Sequence, residues 1–425
     1  MAISSTYKKI DYTPIVLYAI IVLFGWLNIF AACHTEAHAE VFDLSVQHGK
    51  QMIWIVISAI FATLILFSEA RIYSNGAYIF YIGVLLMLIL TLAIGKSTNG
   101  GVSWIEIGPI KIQMSEFSKF ATALVLAKYL SGQDVDIAER KTWGTILLLL
   151  GLPAALIFLQ HDTGSTLVFA SFLIPLYRIG MPPLIFSIGF IAVALFVGAT
   201  SEIFGRFTNY ILCGLVLLGC LFYLFIYLGK PKTKDYVKAI AALLICCGFV
   251  FSVDYIFDHV LEPHQQNRIK VLYDPTLDLQ GKGYNVHQAK IAIGSGGLTG
   301  KGALKGTITP AHFVPEQETD FIFCTVGEEW GFLGSMALVL LYTWLLQHLI
   351  TMAERQASLF ARFYGYCVAS ILFFHFMVNI GMVLGLLPVI GIPLPFFSYG
   401  GSSLLAFTIL LFIFIRLDAN HMSLL

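Results

Sequence analysis

The residues whose types and spacing suit acid–base chemistry lie in the segment Pro315–Phe321, which reads Pro-Glu-Gln-Glu-Thr-Asp-Phe. Asp320 is the last charged residue before the apolar stretch that starts at Phe321. A carboxylate at a boundary between lipid and water is partly desolvated, and desolvation makes it a better general base. The sequence therefore predicts a catalytic carboxylate at Asp320. A second interpretation stays open, in which Asp320 caps the following helix.

Glu116 and Lys119 are a second candidate, because this charged pair interrupts an otherwise apolar stretch. Residues three positions apart share a helix face and can pair within the membrane boundary. One interpretation is an ion pair that only tethers helices. The other is a polar cavity in which Lys119 binds an anionic headgroup.

Trp104, in the preceding loop, either contacts the substrate or belongs to the aromatic belt of the membrane interface.

Two further polar segments are weaker candidates. In Gln160-His161-Asp162, the aspartate is better explained as a helix cap than as a catalyst. The glycine-rich segment Gly294–Gly302 lacks the spacing of a phosphate-binding loop and of a dinucleotide fingerprint. Its glycines are predicted to form turns, or else to present backbone amides to another anionic group.

Composition indicates that membrane helices position these candidates. The chain has 425 residues, of which 58% are hydrophobic and 12% charged, and its 35 Phe provide more apolar surface than a soluble fold can bury. The formal net charge is zero and the sequence has no basic run with interleaved aromatic residues, so we expect no nucleic-acid partner. The predicted fold class is an all-α polytopic membrane protein.

About twelve segments are long and apolar enough to cross a bilayer as helices. They are residues 13–33, 51–68, 77–95, 115–131, 144–160, 164–180, 183–200, 208–228, 236–256, 323–350, 359–387 and 397–416. Residues 1–425 are predicted to form one domain. Within it, residues 205–256 contain an inserted transmembrane hairpin, and residues 257–322 form a long loop with an interfacial helix at Tyr284–Gly294.

Lysine and arginine residues set the predicted orientation. If the N-terminus with Lys8 and Lys9 is cytoplasmic, the positive-inside rule is followed by a large set of cations that lie on that same side: Arg71, Arg140, Lys141, Arg178, Lys230, Lys232, Lys234, Arg355, Arg362 and Arg416. The clearest anchor is the basic turn Lys230–Lys234. The long loop and Asp320 are then predicted to face the outside of the cell.

The run Asn379–Ser403 places several prolines and glycines inside apolar sequence. Helical hydrogen bonds are interrupted by such residues, and a broken backbone at membrane depth is tolerated only where protein or a water-filled cavity satisfies it. We therefore expect this run to line a cavity.

Together these stretches resemble the SEDS family (shape, elongation, division and sporulation proteins), and most closely its rod-shape branch. The resemblance rests on Gly101–Ile105, Gln113–Glu116 with Lys119, the loop from Arg268 to Phe323, Glu328-Glu329 and Asn379–Ser403. Two motifs depart from the family pattern. The family's Gln-Pro-Ser-Glu is Gln-Met-Ser-Glu at 113–116, and its Gln-Pro-Asp is Gln-His-Asp at 160–162. These departures affect the geometry of local turns, but the acidic residue of each motif, Glu116 or Asp162, is present.

The resemblance implies a glycosyltransferase that polymerises lipid II into peptidoglycan at the outer face of the bacterial inner membrane during cell elongation. The implied partner is a class B penicillin-binding protein, a transpeptidase that crosslinks the product. In the family, the aspartate of the Thr-Asp-Phe-Ile motif is the essential catalytic residue, which is Asp320 here. The outer-loop tryptophan of the family, which is Trp104 here, is functionally important.

The chemistry of this reaction agrees with the residues available. A sugar hydroxyl is a poor nucleophile until a base accepts its proton, and the departing undecaprenyl pyrophosphate carries negative charge that cations stabilise. Asp320 is the candidate base. A divalent cation, Mg²⁺ or Mn²⁺, is an alternative source of positive charge, although residue spacing predicts no metal site. The candidate substrate-binding residues are Trp104, Glu116, Lys119, Arg268, Lys290 and Ser398.

Two other classes of protein are weaker alternatives. A transporter or polyprenyl-lipid flippase also has many spans, intramembrane charges and a broken helix, but the charges of this chain cluster on one predicted face. A scaffold that only recruits synthases does not explain a desolvated aspartate at the entrance of a helix.

Overall fold

The computed structural model describes residues 10–33, 40, 42–98, 101–108, 110–133, 135, 136, 139–182, 187, 189, 191, 195, 208–227, 231–259, 266, 282–309 and 313–420. Most of these residues are helical, as predicted. The chain divides into two compact units, of which one comprises Met1–Gly180 with Asn285–Leu425 and the other Met181–Tyr284.

The elements are numbered here in chain order. The N-terminal part contains α1 (Thr13–Cys33), α2 (Gln47–Phe67), α3 (Ala70–Asn75), α4 (Ala77–Ile94), β1 (Lys96–Thr98), β2 (Gly101–Ile107) and β3 (Ile110–Gln113). The middle part contains α5 (Met114–Leu130), α6 (Arg140–Leu159), α7 (Thr163–Val168), a 3₁₀ turn (Phe169–Phe172), α8 (Leu173–Arg178), α9 (Thr208–Phe222) and α10 (Thr233–His259). The C-terminal part contains α11 (Lys282–Gly296), α12 (Ile322–Glu354), α13 (Leu359–Val383) and α14 (Gly401–Asp418).

Nine helices in the described part are long and apolar enough to cross a membrane, which agrees with a multi-pass membrane protein. They are α1, α2, α4, α6, α9, α10, α12, α13 and α14. The predicted span 183–200 lies almost entirely outside the described residues. The predicted interfacial helix is confirmed as a helix by α11, whereas its location at a membrane interface stays a prediction.

Helix α5, which contains Glu116 and Lys119, lies inside the first unit. Most of its side chains are buried, including both charged ones, and it packs against α4, α13 and α14. The two charges are compatible with this position because they pair with each other instead of facing lipid. The predicted span 115–131 thus contains a central helix of the packed core.

The predicted span 164–180 is divided into α7, the 3₁₀ turn and α8. Pro175 explains why the helix is interrupted here, because proline lacks the N–H that would bind the carbonyl oxygen of Ser171. The Ser370 hydroxyl of α13 donates to that oxygen instead, at 2.6 Å. A side chain of a neighbouring helix therefore replaces the lost backbone hydrogen bond.

A small antiparallel sheet, β1-β2-β3, occupies the region predicted only as an outer loop. Alternating β-branched residues favour strands here, and the register pairs Ile105 with Ile112 and Trp104 with Gln113. Gly108 adopts φ +61° in the hairpin turn. The sheet is bound to the end of α6, because Val102 N–H donates to the carbonyl oxygen of Gln160 at 3.0 Å.

The glycine-rich loop that follows α11 inserts into a break in α12. At Gly331 the helix has φ +65° and ψ −158°, so helical hydrogen bonds are lost around it. Residues of the loop replace them. Lys301 N–H donates to Glu328 O (3.1 Å), Gly302 N–H to Glu329 O (2.9 Å), Phe332 N–H to Gly297 O (2.9 Å) and Leu333 N–H to Leu298 O (3.1 Å). The prediction that these glycines form turns is confirmed by positive φ at Gly297, Gly300 and Gly302.

An ionic cluster joins helix termini at the other end of α12. Arg355 donates to Asp418 Oδ1 at 2.9 Å and to Asp11 Oδ2 at 3.0 Å, and His348 Nε2 is 3.0 Å from Asp11 Oδ2. Burial acts to raise the pKa of Asp11, but the hydrogen bonds from Thr13, Arg355 and His348 outweigh it and lower the pKa overall. The cluster therefore connects the start of α1 with the ends of α12 and α14.

In the second unit, α9 continues as one π-helical turn, Tyr223–Tyr227, before α10. Leu195, Val250 and Val253 form the buried cluster of this unit. The two helices have the form expected for the hairpin at 205–256. That the hairpin is an insertion stays a prediction.

Replacement of Gly300 by alanine is expected to destabilise the protein by about 1–3 kcal/mol. Gly300 has φ +78°, and a Cβ there would overlap the Glu329 carbonyl oxygen. The measurement is denaturant unfolding of the purified protein in detergent. The matched control is Gly294→Ala, because Gly294 is helical and has open space at its Cβ position. Equal unfolding midpoints for the two variants would contradict the prediction.

Candidate functional site

Asp320 lies in a turn, residues 316–321, that is organised around one carbonyl oxygen. Glu316 O accepts hydrogen bonds from the N–H groups of Thr319 (3.3 Å), Asp320 (3.1 Å) and Phe321 (3.3 Å). Glu316 itself has φ +57°, a left-handed conformation that is strained for a residue with a side chain. The N-cap position of α12 is Phe321, so the interpretation of Asp320 as the helix cap is wrong.

Four other parts of the chain fix the position of this turn. The buried Gln317 amide donates to the carbonyl oxygens of Ala32 at 3.0 Å and Thr309 at 2.9 Å. Tyr399 N–H donates to Glu318 O at 2.8 Å. Finally, the Asn379 side chain donates to Asp320 O at 2.8 Å. The turn that contains Asp320 is thus attached to α1, to α13 and to the segment that follows α13.

The Asp320 carboxylate is half-buried and lies against a glycine. A Cβ placed on Gly391 would be 3.2 Å from Asp320 Oδ2. Gly391 is exposed and has φ +80°, a conformation that glycine adopts without strain. Glycine at this position therefore keeps side-chain atoms away from the carboxylate.

Gly391 belongs to residues 384–400, which connect α13 with α14 and are called the broken segment below. Several of its backbone polar groups are bound by side chains and others by backbone groups, such as the Leu386 N–H by Gly381 O at 2.7 Å, so protein satisfies these parts of the broken backbone. Three of its carbonyl oxygens accept hydrogen bonds from side chains: Ile392 O from Asn379 (2.9 Å), Pro393 O from His375 Nδ1 (3.2 Å) and Pro395 O from the Tyr342 hydroxyl. Two of its N–H groups donate to side chains: Leu394 N–H to Ser398 Oγ (2.9 Å) and Gly400 N–H to Gln51 Oε1 (3.2 Å). The predicted cavity beside this segment stays a prediction.

The broken segment also contacts Lys290. A Cβ on Gly385, which has φ +70°, would overlap the Lys290 ammonium group. Lys290 is exposed on α11, so its charge lies at the surface beside the segment that contacts Asp320. Arg268, another candidate substrate-binding cation, lies outside the described residues.

Glu116 and Lys119 form the predicted ion pair, with 2.8 Å between Lys119 Nζ and Glu116 Oε2. Only 2% of the Lys119 side chain is exposed. Its ammonium nitrogen is also 3.0 Å from His375 Nε2 and lies 4.6 Å from the centre of the Phe407 ring. This burial favours the interpretation as a tether between helices, and contact of Lys119 with a headgroup stays a prediction.

Trp104 is half-buried on β2, opposite Gln113 of β3. The Gln113 side chain donates to Asp162 Oδ2 at 2.7 Å, and Asp162 Oδ1 accepts the Ser165 N–H at 2.9 Å as the N-cap of α7. The prediction that Asp162 is a helix cap is confirmed. Within α7, a Cβ on Gly164 would be 3.0 Å from Ile390 O, so this helix packs directly against the broken segment.

Ser398 and Tyr399 lie at the end of the broken segment. The Ser398 hydroxyl is buried and accepts the Leu394 N–H within the same turn, so its contact with a substrate stays a prediction. Tyr399 is partly buried, and its N–H donates to Glu318 O in the Asp320 turn.

Glu328 organises the loop between the glycines and the Asp320 turn. Its carboxylate is fully buried and accepts hydrogen bonds from Lys301 Nζ (2.7 Å) and from the N–H groups of Thr307 (2.7 Å), Ile308 (2.9 Å) and Thr309 (2.9 Å). Because Thr309 O in turn binds Gln317, this carboxylate supports the Asp320 turn indirectly.

Sequence reasoning missed His375, Gln317 and Tyr342. His375 offered a signal, because an ionisable residue inside an apolar span is a functional candidate by default. The described residues contain no group of three or more His, Cys, Asp or Glu side chains placed to bind a metal ion. A role for a divalent cation stays a prediction.

Fold and site together define a multi-pass membrane protein in which a half-buried aspartate, at the entrance of a helix, lies against a broken membrane segment. The chain belongs to the FtsW/RodA/SpoVE family, because the family model, described as "Cell cycle protein", matches residues 12–212 and 208–423. The predicted family and the all-α polytopic fold are thereby confirmed, and the small sheet is an addition to that fold.

Individual relatives agree with this assignment. The chain is 30% identical over 413 residues to the peptidoglycan glycosyltransferase RodA of Treponema pallidum, which covers 93% of this chain and 94% of the relative. It is 33% identical over 336 residues to the peptidoglycan glycosyltransferase MrdB of Escherichia coli K12, covering 79% and 75%. These names agree with the predicted enzyme class, a glycosyltransferase.

A solved structure has the same fold over nearly its full length. Its title is "Structural coordination of polymerization and crosslinking by a peptidoglycan synthase complex", and the similar chain is 26% identical with a TM-score of 0.66. The similarity covers 97% of this chain and 98% of the other.

The change Glu328→Gln is expected to loosen residues 301–309 and to lower the free energy of unfolding by about 2–3 kcal/mol, because charge-assisted hydrogen bonds are lost in a buried site. Hydrogen exchange should show faster exchange at Thr307–Thr309. The matched control is Glu106→Gln, which removes the surface pair of Glu106 with Lys111, whose side chain is 57% exposed. That pair should contribute less than about 1 kcal/mol. Equal effects of the two changes would contradict the assigned role of Glu328.

Proposed function

We propose that this chain is a peptidoglycan glycosyltransferase that polymerises lipid II, with Asp320 as the general base. The observation that carries the proposal is the position of Asp320 on a turn attached to α1, α13 and the broken segment, with its carboxylate half-buried against Gly391. The names of the relatives from Treponema pallidum and Escherichia coli support the reaction class.

In the proposed reaction, the Asp320 carboxylate accepts the proton of the acceptor sugar hydroxyl. The hydroxyl oxygen forms a bond to the anomeric carbon of the donor, while the bond from that carbon to the pyrophosphate oxygen breaks. The pyrophosphate leaves with the electron pair of that bond. A firmly positioned base suits this step, because proton transfer requires contact at about 3 Å and a misplacement of about 1 Å can cost roughly 100-fold in rate.

Lys290 and Arg268 are proposed to bind the pyrophosphate. Lys290 is supported by its exposed position beside Gly385, in the segment that also contacts Asp320 through Gly391. The proposal for Arg268 rests on its place in the same loop and on the bidentate geometry with which guanidinium binds phosphate. Positive charge at this place stabilises the leaving group as its bond breaks.

For Glu116 and Lys119 we propose a positioning role, because both are buried and Lys119 already has two polar neighbours. Ser398 is proposed to act in the same way, since its hydroxyl closes a turn of the broken segment. Trp104 is the remaining candidate for substrate contact. Its half-buried indole on β2 belongs to a sheet that is bound to α7 through Gln113.

Location and partners complete the proposal. We place the protein in the bacterial inner membrane with its N-terminus in the cytoplasm and the loop 257–322 outside, because this orientation follows the positive-inside rule. The solved complex that coordinates polymerization and crosslinking supports a crosslinking partner, a class B penicillin-binding protein. The similarity to relatives named RodA and MrdB supports a role in cell elongation.

The change Asp320→Asn is expected to lower the rate of lipid II polymerisation by about 100- to 10,000-fold, the usual contribution of a general base. Asparagine has nearly the same shape but cannot accept the proton. The measurement is the conversion of labelled lipid II into glycan strands by the purified protein together with its transpeptidase partner.

The control for this experiment is Glu354→Gln, which removes a carboxylate at the far, exposed end of the same helix, α12. It should polymerise at the wild-type rate. An Asp320→Asn variant as fast as wild type would exclude Asp320 as the base. If the wild-type protein forms no polymer but scrambles lipid II rapidly in vesicles, the flippase alternative is correct.

The change Lys290→Gln is expected to lower kcat/KM for lipid II by about 10- to 100-fold, because one cation near the leaving group is lost. Steady-state kinetics with lipid II provides the measurement. Lys305→Gln is the matched control, since Lys305 is an exposed lysine of the same loop and contacts Gly302 through backbone and side-chain stem. Equal losses in both variants would indicate a general effect of charge and would contradict a specific role for Lys290.

A further inference from the structure

One buried titratable side chain has no part in the proposed reaction. His375 of α13 is fully buried. Its ring Nε2 is 3.0 Å from the Lys119 ammonium nitrogen, and its Nδ1 is 3.2 Å from the carbonyl oxygen of Pro393. The ring also packs edge-to-face against Phe407, with 4.8 Å between the ring centres. His375 therefore contacts α5, α14 and the broken segment at once.

Hydrogen-bond chemistry fixes the protonation of this ring. A carbonyl oxygen can only accept, so Nδ1 must carry the hydrogen that binds Pro393 O. An ammonium group can only donate, so Nε2 must accept from Lys119. His375 is consequently a neutral imidazole that donates through Nδ1 and accepts through Nε2. A side chain that cannot both donate and accept at these places cannot form both hydrogen bonds.

Asn379 lies one helical turn after His375, so the two side chains share a face of α13. Asn379 donates to Ile392 O at 2.9 Å, while His375 donates to the next carbonyl oxygen, that of Pro393. Asn379 also donates to Asp320 O at 2.8 Å. Two consecutive carbonyls of the broken segment are therefore bound to one helix face, and the same face binds the main chain of Asp320.

The contacts form a continuous path from the ion pair to the carboxylate. Glu116 binds Lys119, Lys119 binds His375, and His375 binds Pro393 O. Two residues before Pro393, Gly391 lies against Asp320 Oδ2. An unpaired carbonyl at Pro393 would be unfavourable in this partly buried, non-helical backbone, so loss of the His375 bond should shift the segment.

We propose that His375 is a positioning residue for the Asp320 site. Its Nδ1–H binds Pro393 O and thereby sets the distance between the broken segment and the Asp320 carboxylate, while Lys119, paired with Glu116, donates to Nε2 and so keeps the ring hydrogen on Nδ1. This inference rests on the proposed function of Asp320. It assigns the polar pair in α5 a purpose that needs no contact with the substrate.

Two conservative variants separate the two hydrogen bonds of His375. In His375→Asn, the amide nitrogen is as many bonds from Cα as Nδ1, so the bond to Pro393 O can form while the one to Lys119 is lost. In His375→Gln, the amide oxygen matches Nε2, so the bond to Lys119 can form while the one to Pro393 O is lost. The proposal predicts different kinetics for these two variants.

The variants are measured in lipid II polymerisation with the transpeptidase partner present. We expect His375→Gln to lower kcat by about 10- to 100-fold with KM for lipid II unchanged, because the base is misplaced while substrate-binding groups stay in place. We expect His375→Asn to stay within about 3-fold of the wild-type kcat, since it retains the bond that positions the segment. Hydrogen exchange at Ile390–Ile392 should increase in His375→Gln only.

Equal kcat values for the two folded variants, whether high or low, would overturn the proposal. If His375→Gln does not fold, His375→Asn decides alone, because a loss above about 10-fold is incompatible with a role through Pro393. If neither variant folds, His375 serves stability only and the proposal is wrong. Wild-type protein no faster than Asp320→Asn would overturn the proposed function instead, and the exchange at Ile390–Ile392 would still test the coupling to the broken segment.

Discussion

A backbone that leaves the helical conformation inside a membrane protein loses its internal hydrogen bonds and must find others within the protein. In this chain that constraint falls on the broken segment, residues 384–400. Several of its backbone polar groups are bound by side chains of surrounding helices, including Gln51 of α2, Tyr342 of α12 and His375 of α13. The position of the segment is therefore determined by the packing of the whole helical core. Asp320 contacts the segment at Gly391, and Lys290, on α11, contacts it at Gly385.

Buried charges contribute to this arrangement in a specific way. Removing an ion pair from water has a desolvation cost that often exceeds the electrostatic gain, so such pairs are weak evidence for stability. Lys119 with Glu116, and Glu328 with Lys301, are better explained by the contacts they impose. The first pair lies at the start of the path through His375, and the second orders the loop that binds Gln317. Apolar residues could fill the same space but could not bind individual backbone groups.

The sequence predicted the elements whose signals are local. Apolar spans such as α1 and α13 follow from length and composition, and the capping role of Asp162 follows from its place before a helix. The turns at the glycines follow from the ease with which glycine adopts a positive φ. The sheet was missed because its short strands lie in a loop, where β-branched alternation is a weak signal. The path through His375 depends on Pro393, which is 18 positions away, and on Lys119, which is 256 positions away. Contacts at such separations are set by helix packing and leave no local pattern.

Asp320 does not cap α12, and this difference from the cap interpretation matters for its chemistry. A capping aspartate would direct its carboxylate at the backbone N–H groups of the helix, and these hydrogen bonds would stabilise the ionised form and weaken it as a base. Here Phe321 occupies the N-cap position, and the main chain of Asp320 is bound through its carbonyl by Asn379. The backbone is thus fixed through a group that takes no part in the proposed proton transfer. Beside the carboxylate, Gly391 contributes no side chain, and in the proposed reaction this favours the approach of a hydroxyl to Oδ2 within the hydrogen-bond distance that a general base requires.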